Sequence, residues 1–141
     1  HAGTDVGHLL LSATRTYAPL MKRLLEDHFG DIHGLVHCSG GGQTKCLKYL
    51  PASFRIVKDN LFEPPVVFNL LREASGSDWR EMYQVFNMGH RLELFTSEHA
   101  AEKMIKAGQE LGIEAKIVGR VEASGTKELV LHSPDGSVVN Y

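Results

Sequence analysis

The stretch His33-Gly34-Leu35-Val36-His37-Cys38-Ser39-Gly40-Gly41-Gly42-Gln43 decides how the rest of the chain is read. A short apolar run, Ile32 to Ser39, leads into three consecutive glycines, which is the pattern of a buried strand entering a tight loop. Glycines let the backbone approach a ligand closely, and successive N–H groups in such a loop can converge on an anion such as phosphate. The same pattern also serves a flexible strand-to-helix turn. It is not a P-loop, because the Gly-Lys-Ser/Thr ending is absent. His37 falls at the carboxyl end of the strand, where open α/β sheets place their ligands.

His33 and His37 are four residues apart and invite comparison with a His-x-x-x-His metal helix. Position 34 is Gly rather than Glu, and on a strand the two Cα atoms stand about 13 Å apart, too far for one ion. No metal site is assigned. Two cysteines, Cys38 and Cys46, form no Cys-x-x-Cys motif, and two free, partly buried thiols are expected.

Outward from this loop, Tyr17, Leu20, Met21, Leu24 and Leu25 recur at helical spacing and predict a first helix within Ser12 to Phe29, its regular turns starting near Ala18 because of Pro19. A short helix is expected over Thr44 to Leu50. The alternation of Phe54, Ile56 and Lys58 with Arg55, Val57 and Asp59 predicts a second strand. Pro65 opens a helix striped by Val66, Phe68, Leu70, Leu71 and Ala74 and closed by Gly76. Ser77 or Asp78 caps another, whose Trp79, Tyr83 and Phe86 are read as core. Leu92, Leu94 and Phe95 carry a third strand. Ser97 is expected to cap a helix with Ala101, Met104, Ile105, Gly108 and Leu111 on its buried face. Strands at Ala115 to Glu122 and Glu128 to His132 follow, and Pro134-Asp135-Gly136 marks a turn after which the last residues either return as an edge strand or fray. The order argues for an α/β (α+β) fold, a layered mixed β-sheet covered by helices.

With 141 residues, one domain spanning 1–141 is expected. At 43% hydrophobic and 23% charged residues the chain has the composition of a folded globule rather than a disordered segment. A formal net charge of −2 with interspersed signs lacks the basic stripe of a nucleic-acid binder. No apolar run is long enough to span a bilayer and no signal pattern opens the chain, so a cytoplasmic protein without membrane partners is expected. The chain starts at His1-Ala2-Gly3 rather than Met, so either a fragment of a longer protein or a cloning scar is expected.

Two more clusters can carry chemistry. Ser12-Ala13-Thr14-Arg15-Thr16 brings hydroxyls and a planar bidentate cation to the start of the first helix, suited to phosphate or carboxylate, or simply to capping and a surface ion pair. Phe86-Asn87-Met88-Gly89-His90-Arg91 turns into the third strand, where Asn87 either reads a polar ligand or holds the turn.

The three clusters together resemble one family, the aminoimidazole ribonucleotide (AIR) synthetases. His37-Cys38-Ser39-Gly40-Gly41-Gly42 resembles their His-x-Thr/Ser-Gly-Gly-Gly, Leu10 to Tyr17 resembles Leu-Leu-x-Pro-Thr-Arg-x-Tyr, and Glu81 to Gly89 resembles Glu-Met-Tyr-x-x-Phe-Asn-x-Gly. Ile117 to Val121 is similar to the closing Ile-Gly-x-Val strand, so the likeness covers Leu9 to Val121. Ala13 stands where the family has proline, and His90-Arg91 replace a small or aliphatic pair.

The resemblance implies the C-terminal domain of phosphoribosylformylglycinamidine cyclo-ligase, a ligase of purine biosynthesis that uses ATP and Mg2+ to activate the amide oxygen of formylglycinamidine ribonucleotide for ring closure. It implies an N-terminal domain that brings most of the metal- and nucleotide-binding groups, a homodimer of the full-length enzyme, and an isolated chain without activity. It carries over His37 as a catalytic residue and Thr14, Arg15, Ser39, Gly40, Gly41, Gly42 and Asn87 as substrate- or phosphate-binding residues. The resemblance also fits a further ATP-dependent enzyme of the superfamily, such as formylglycinamidine ribonucleotide synthetase, thiamine monophosphate kinase or a hydrogenase-maturation protein; a rival reading of a different class is a stand-alone ligand-sensing or assembly module that binds a phosphate ester without turning it over.

Overall fold

The structure, a computed structural model, describes residues 5–11, 13 and 15–141. These divide into two compact units: residues up to His33 with Phe95–Lys116, and Gly34–Leu94 with Ile117–Tyr141.

In the first unit, α1 (Val6–Leu10) is capped by Asp5, whose carboxylate accepts from the His8 N–H at 2.9 Å. Helix α2 (Ala18–Asp27) begins where Pro19 allows it, in the first turn, where a missing N–H costs nothing. It buries Leu20 and Leu24, and full burial of a leucine contributes about 1.5–3 kcal/mol. Leu25, expected on the same face, is 43% exposed. A 3-10 turn at Phe29–Asp31 follows. Helix α5 (Glu98–Glu110) packs against α2, and Arg23 pairs with Glu110 at 2.6 Å. Its buried face is Ala100, Met104, Ala107 and Gly108, rotated from the expected one, with Leu111 left 41% exposed. Ser97 precedes this helix in extended conformation but makes no side-chain cap bond.

Strands β1 (Ile32–His37) and β3 (Leu92–Thr96) form a two-stranded sheet. The second unit holds a four-stranded sheet in the order β4 (Arg120–Ala123), β2 (Phe54–Lys58), β5 (Glu128–His132), β6 (Val138–Asn140). It is mixed as expected: β2 runs antiparallel to β4 and parallel to β5, and β5 runs antiparallel to β6. The expected strand from Ala115 is shorter, starting at Arg120, and the turn at Pro134 does return as an edge strand.

One face of β5 carries Leu129 and Leu131, both fully buried. Helices α3 (Val66–Ser75) and α4 (Trp79–Val85) supply cover, with Met82, Tyr83, Met88 and Leu131 at the centre and Leu61, Phe68, Trp79, Phe86 and Tyr141 around them. Tyr83 is thus core as the spacing indicated, with Trp79 and Phe86 half-buried against it. Asp78 caps α4 by accepting from the Glu81 N–H at 2.8 Å, an arrangement that contributes about 1 kcal/mol. Gly76 ends α3 with φ 71°, the left-handed cap that glycine adopts without strain. In β2 the expected alternation fails, since Ile56, Val57 and Lys58 are all buried, as happens where both faces of a strand are covered.

Candidate functional site

Strand β1 ends at His37, and the chain turns at once: the Ser39 N–H donates to the His37 carbonyl at 2.8 Å, and the Cys38 N–H is held by the Arg91 carbonyl at 2.9 Å. Gly40, Gly41 and Gly42 follow with φ of 61°, 94° and 48°, three successive left-handed residues that only glycine adopts without penalty. The three are not equivalent. A side-chain carbon on Gly40 would meet nothing within 4 Å, whereas one on Gly42 would lie 2.5 Å from the Tyr83 carbonyl oxygen and would also collide with that of Phe86. Gly42 is therefore set by packing against the end of α4, while Gly40 and Gly41 form the open part of the loop. Among the described residues their N–H groups meet no acceptor. Unpaired N–H groups in a turn are the kind of donor an anion can accept from.

The expected helix after the glycines is a 3-10 turn, Gly42–Lys48, started by Thr44, which donates to the Gly41 carbonyl through both its N–H (3.0 Å) and its hydroxyl (2.8 Å). Lys45 folds back so that its Nζ donates to the Ser39 carbonyl at 2.8 Å, which sets a cation beside the loop. The His37 imidazole is exposed, and its Nδ1 lies 2.8 Å from the Ser39 hydroxyl. With Nδ1 engaged there, Nε2 is the ring atom that can meet a ligand. His37, Ser39 and the three glycines are thus contiguous.

Asn87 belongs to the same unit. Its Oδ1 accepts from the Gly89 N–H at 2.9 Å and its carbonyl from the His90 N–H at 2.9 Å, closing a tight turn with Met88 at φ 52° and Gly89 at φ 97°. Asn87 is joined to the glycine loop through Gln43, whose amide Nε2 donates to the Asn87 carbonyl at 2.7 Å. His90, one of the departures from the resembled pattern, is buried, accepts from the Phe62 N–H at 3.0 Å and packs at a tilt of 45° against the Phe62 ring with centroids 5.0 Å apart. It serves the packing of this turn. Arg15 lies in the other unit, exposed, just before α2, and Thr16 of its cluster accepts from the Ala18 N–H at 3.3 Å at the start of that helix. Thr14 and Ser12 fall outside the described residues.

Beneath the loop sits a polar network that the sequence did not announce. Lys58, at the end of β2, is 2% exposed, and its Nζ donates to the Gln43 carbonyl (3.1 Å), to Gln43 Oε1 (2.9 Å) and to Glu93 on β3. Glu93 lies between Leu92 and Leu94 on β3 and is buried to 7% exposure. The surroundings are tight enough that burial, with the Glu93 carboxylate adding to it, pushes the Cys38 thiol up to about 12. Cys46 is raised by burial too. Both cysteines are free and buried. Among the described residues no group of three or more His, Cys, Asp or Glu is placed to hold a metal ion.

Comparison with known proteins agrees with the motifs. Residues 2–132 match the family model for AIR synthase related protein, C-terminal domain. The phosphoribosylformylglycinamidine cyclo-ligase of Methanopyrus kandleri is 38% identical over 120 residues, which cover 85% of this chain and 34% of that protein. That of Methanothermobacter thermautotrophicus is 36% identical over 138 residues, covering 98% and 39%. The chain spans little more than a third of these relatives' length. Among solved structures, Escherichia coli HypE, a hydrogenase maturation protein, superposes with TM-score 0.65 at 21% identity over 90% of this chain and 39% of HypE. The HypE–HypF complex gives 0.64 at 19% identity, over 96% and 46%. These likenesses establish the mixed α/β fold. Matched by the family model from its second residue to β5, the chain belongs to the family of AIR synthase related protein C-terminal domains.

Proposed function

We propose that this chain is the C-terminal part of a phosphoribosylformylglycinamidine cyclo-ligase, which closes the imidazole ring of aminoimidazole ribonucleotide from formylglycinamidine ribonucleotide at the expense of ATP. The observation that carries this reading is the left-handed run Gly40-Gly41-Gly42 with unpaired N–H groups next to His37, in a chain 38% identical to a protein of that name. HypE shares the fold, so the fold alone does not choose between the two; the higher identity to the cyclo-ligases favours ring closure.

In the proposed reaction ATP transfers its γ-phosphoryl group to the amide oxygen, an internal nitrogen attacks the activated carbon, and phosphate leaves. Phosphoryl transfer asks the protein mainly for positioning and charge stabilisation. The loop N–H groups and Lys45 provide that for an anionic oxygen, and Ser39, by donating its hydroxyl proton to His37 Nδ1, would leave Nε2–H to donate to the same group. His37 is thus proposed as the catalytic residue, with Thr14, Arg15, Ser39, the three glycines and Asn87 binding substrate or phosphate. The Mg2+ is proposed to come with the N-terminal domain, because the acidic donor set it needs is missing from the described residues here. A cytoplasmic homodimer completes the reading; no helix among the described residues is long and apolar enough to cross a membrane.

The test is ADP release by the full-length enzyme. It should depend on formylglycinamidine ribonucleotide and fall by about a hundredfold in His37→Ala, the scale of losing a positioned donor at a developing charge. The 141-residue chain alone should show none. Substrate-independent ADP release, or turnover by the isolated chain, would overturn the proposal.

A further inference from the structure

The buried lysine beneath the loop does more than fill space. An ammonium has three protons to donate, and Lys58 places all three, on the Gln43 carbonyl, on Gln43 Oε1 and on Glu93. Gln43 is fully buried, directly follows Gly42, and passes the connection on to the Asn87 carbonyl through Nε2. One cation therefore fixes both the main chain and the side chain of the residue that ends the glycine run, and through it the Asn87 turn.

This arrangement is costly. Glu93 keeps its second oxygen, Oε2, buried without a partner among the described residues, and a buried ion pair is often no more stable than apolar side chains of the same volume. Geometry is the better reason for it. Three glycines in succession have wide conformational freedom, and something must hold the loop in one conformation. Gly42 is held by its fit against α4, and Gln43 by Lys58.

We propose that Lys58 is a positioning residue for the glycine loop: by gripping Gln43 it presets Gly40 and Gly41 to receive a phosphate group, which rests on reading the loop as a phosphate-facing element. Lys58 does not touch the ligand. Its ammonium stays under the loop, spent on Gln43 and Glu93.

The experiment compares the full-length enzyme with the double variant Lys58→Met/Glu93→Met, which removes both buried charges together and keeps side-chain volume. Binding of inorganic phosphate is measured by calorimetry, with Tm and kcat alongside. The double variant is expected to melt close to the parent but to bind phosphate at least tenfold more weakly, with kcat reduced by a similar factor. A double variant that binds phosphate within twofold of the parent would overturn the proposal, because the pair would then be structural only. If the double variant does not fold, Gln43→Met, which leaves the Lys58–Glu93 pair in place, must show the same tenfold loss; unchanged phosphate binding there overturns it equally. Phosphate binding needs no turnover. A parent enzyme that binds phosphate but closes no ring would sink the cyclo-ligase reading alone.

Discussion

Gly42 faces Tyr83 so closely that a side-chain carbon added to it would lie 2.5 Å from the Tyr83 carbonyl oxygen, while the same carbon on Gly40 would meet nothing. The two glycines therefore answer differently to alanine. Gly42→Ala combines a left-handed φ with overlap against the backbone of α4 and should cost about 3 kcal/mol or more. Gly40→Ala carries only the left-handed penalty, about 1–2 kcal/mol, and should instead weaken phosphate binding. Urea titrations of the two variants check this; equal destabilisation would contradict the division of the loop into a packed and an open part.

The cysteines give a pH dependence with a definite sign. Folding raises the Cys38 thiol from 9.0 to about 12, so the folded state favours the protonated form. Its contribution is fully present below about pH 9 and is lost as the pH climbs toward 12. Tyr83, pushed up by burial to about 12, acts in the same direction. Unfolding free energy should fall with rising pH in this window, and less steeply in Cys38→Ala. Both thiols should also resist alkylation at pH 8 until denaturant is added, since thiolate is the reactive form. Rapid native-state labelling would refute the burial.

Much of this fold was legible because its elements carry strong periodic or capping signals: the β1 run before three glycines, Gly76 after α3, Asp78 before α4. The errors fall where those signals are weak. In α5 the buried face rests on Ala100, Ala107 and Gly108, small residues with little hydrophobic weight, so the larger Leu111 misdirected the reading. The buried pair of Lys58 and Glu93 has no counterpart in the sequence reading, because strand alternation says nothing about a partner 35 residues away. No local signal could have found that pair. Of the carried-over site residues, His37, Ser39 and the glycines follow from one continuous motif, whereas Lys45 became visible only once its ammonium was seen on the Ser39 carbonyl.

Asn87 can be tested for its two roles separately. Asn87→Asp keeps the oxygen that accepts from the Gly89 N–H and should leave stability nearly unchanged, while Asn87→Ala should cost about 1 kcal/mol for the lost turn bond. If the side-chain amide also donates to substrate, Asn87→Asp lowers kcat/KM of the full-length enzyme at least tenfold. Parental kinetics would confine Asn87 to the turn.

Arg15 is exposed in the first unit, free of the packing that complicates the loop. Arg15→Ala should therefore leave Tm within a degree or two of the parent, as surface substitutions change stability by about 0.5 kcal/mol or less. In the full-length enzyme it should raise KM or lower kcat more than tenfold by removing a bidentate phosphate partner. Unchanged kinetics would remove Arg15 from the site.

The central claim is that this domain forms one wall of a ring-closing, ATP-consuming site. The most direct measurement is the amount of aminoimidazole ribonucleotide formed per ATP consumed when the full-length enzyme is given formylglycinamidine ribonucleotide. The account predicts one ring closed for each ADP released, with both falling together in His37→Ala. ATP consumption without ring formation, or no consumption at saturating substrate, would contradict it.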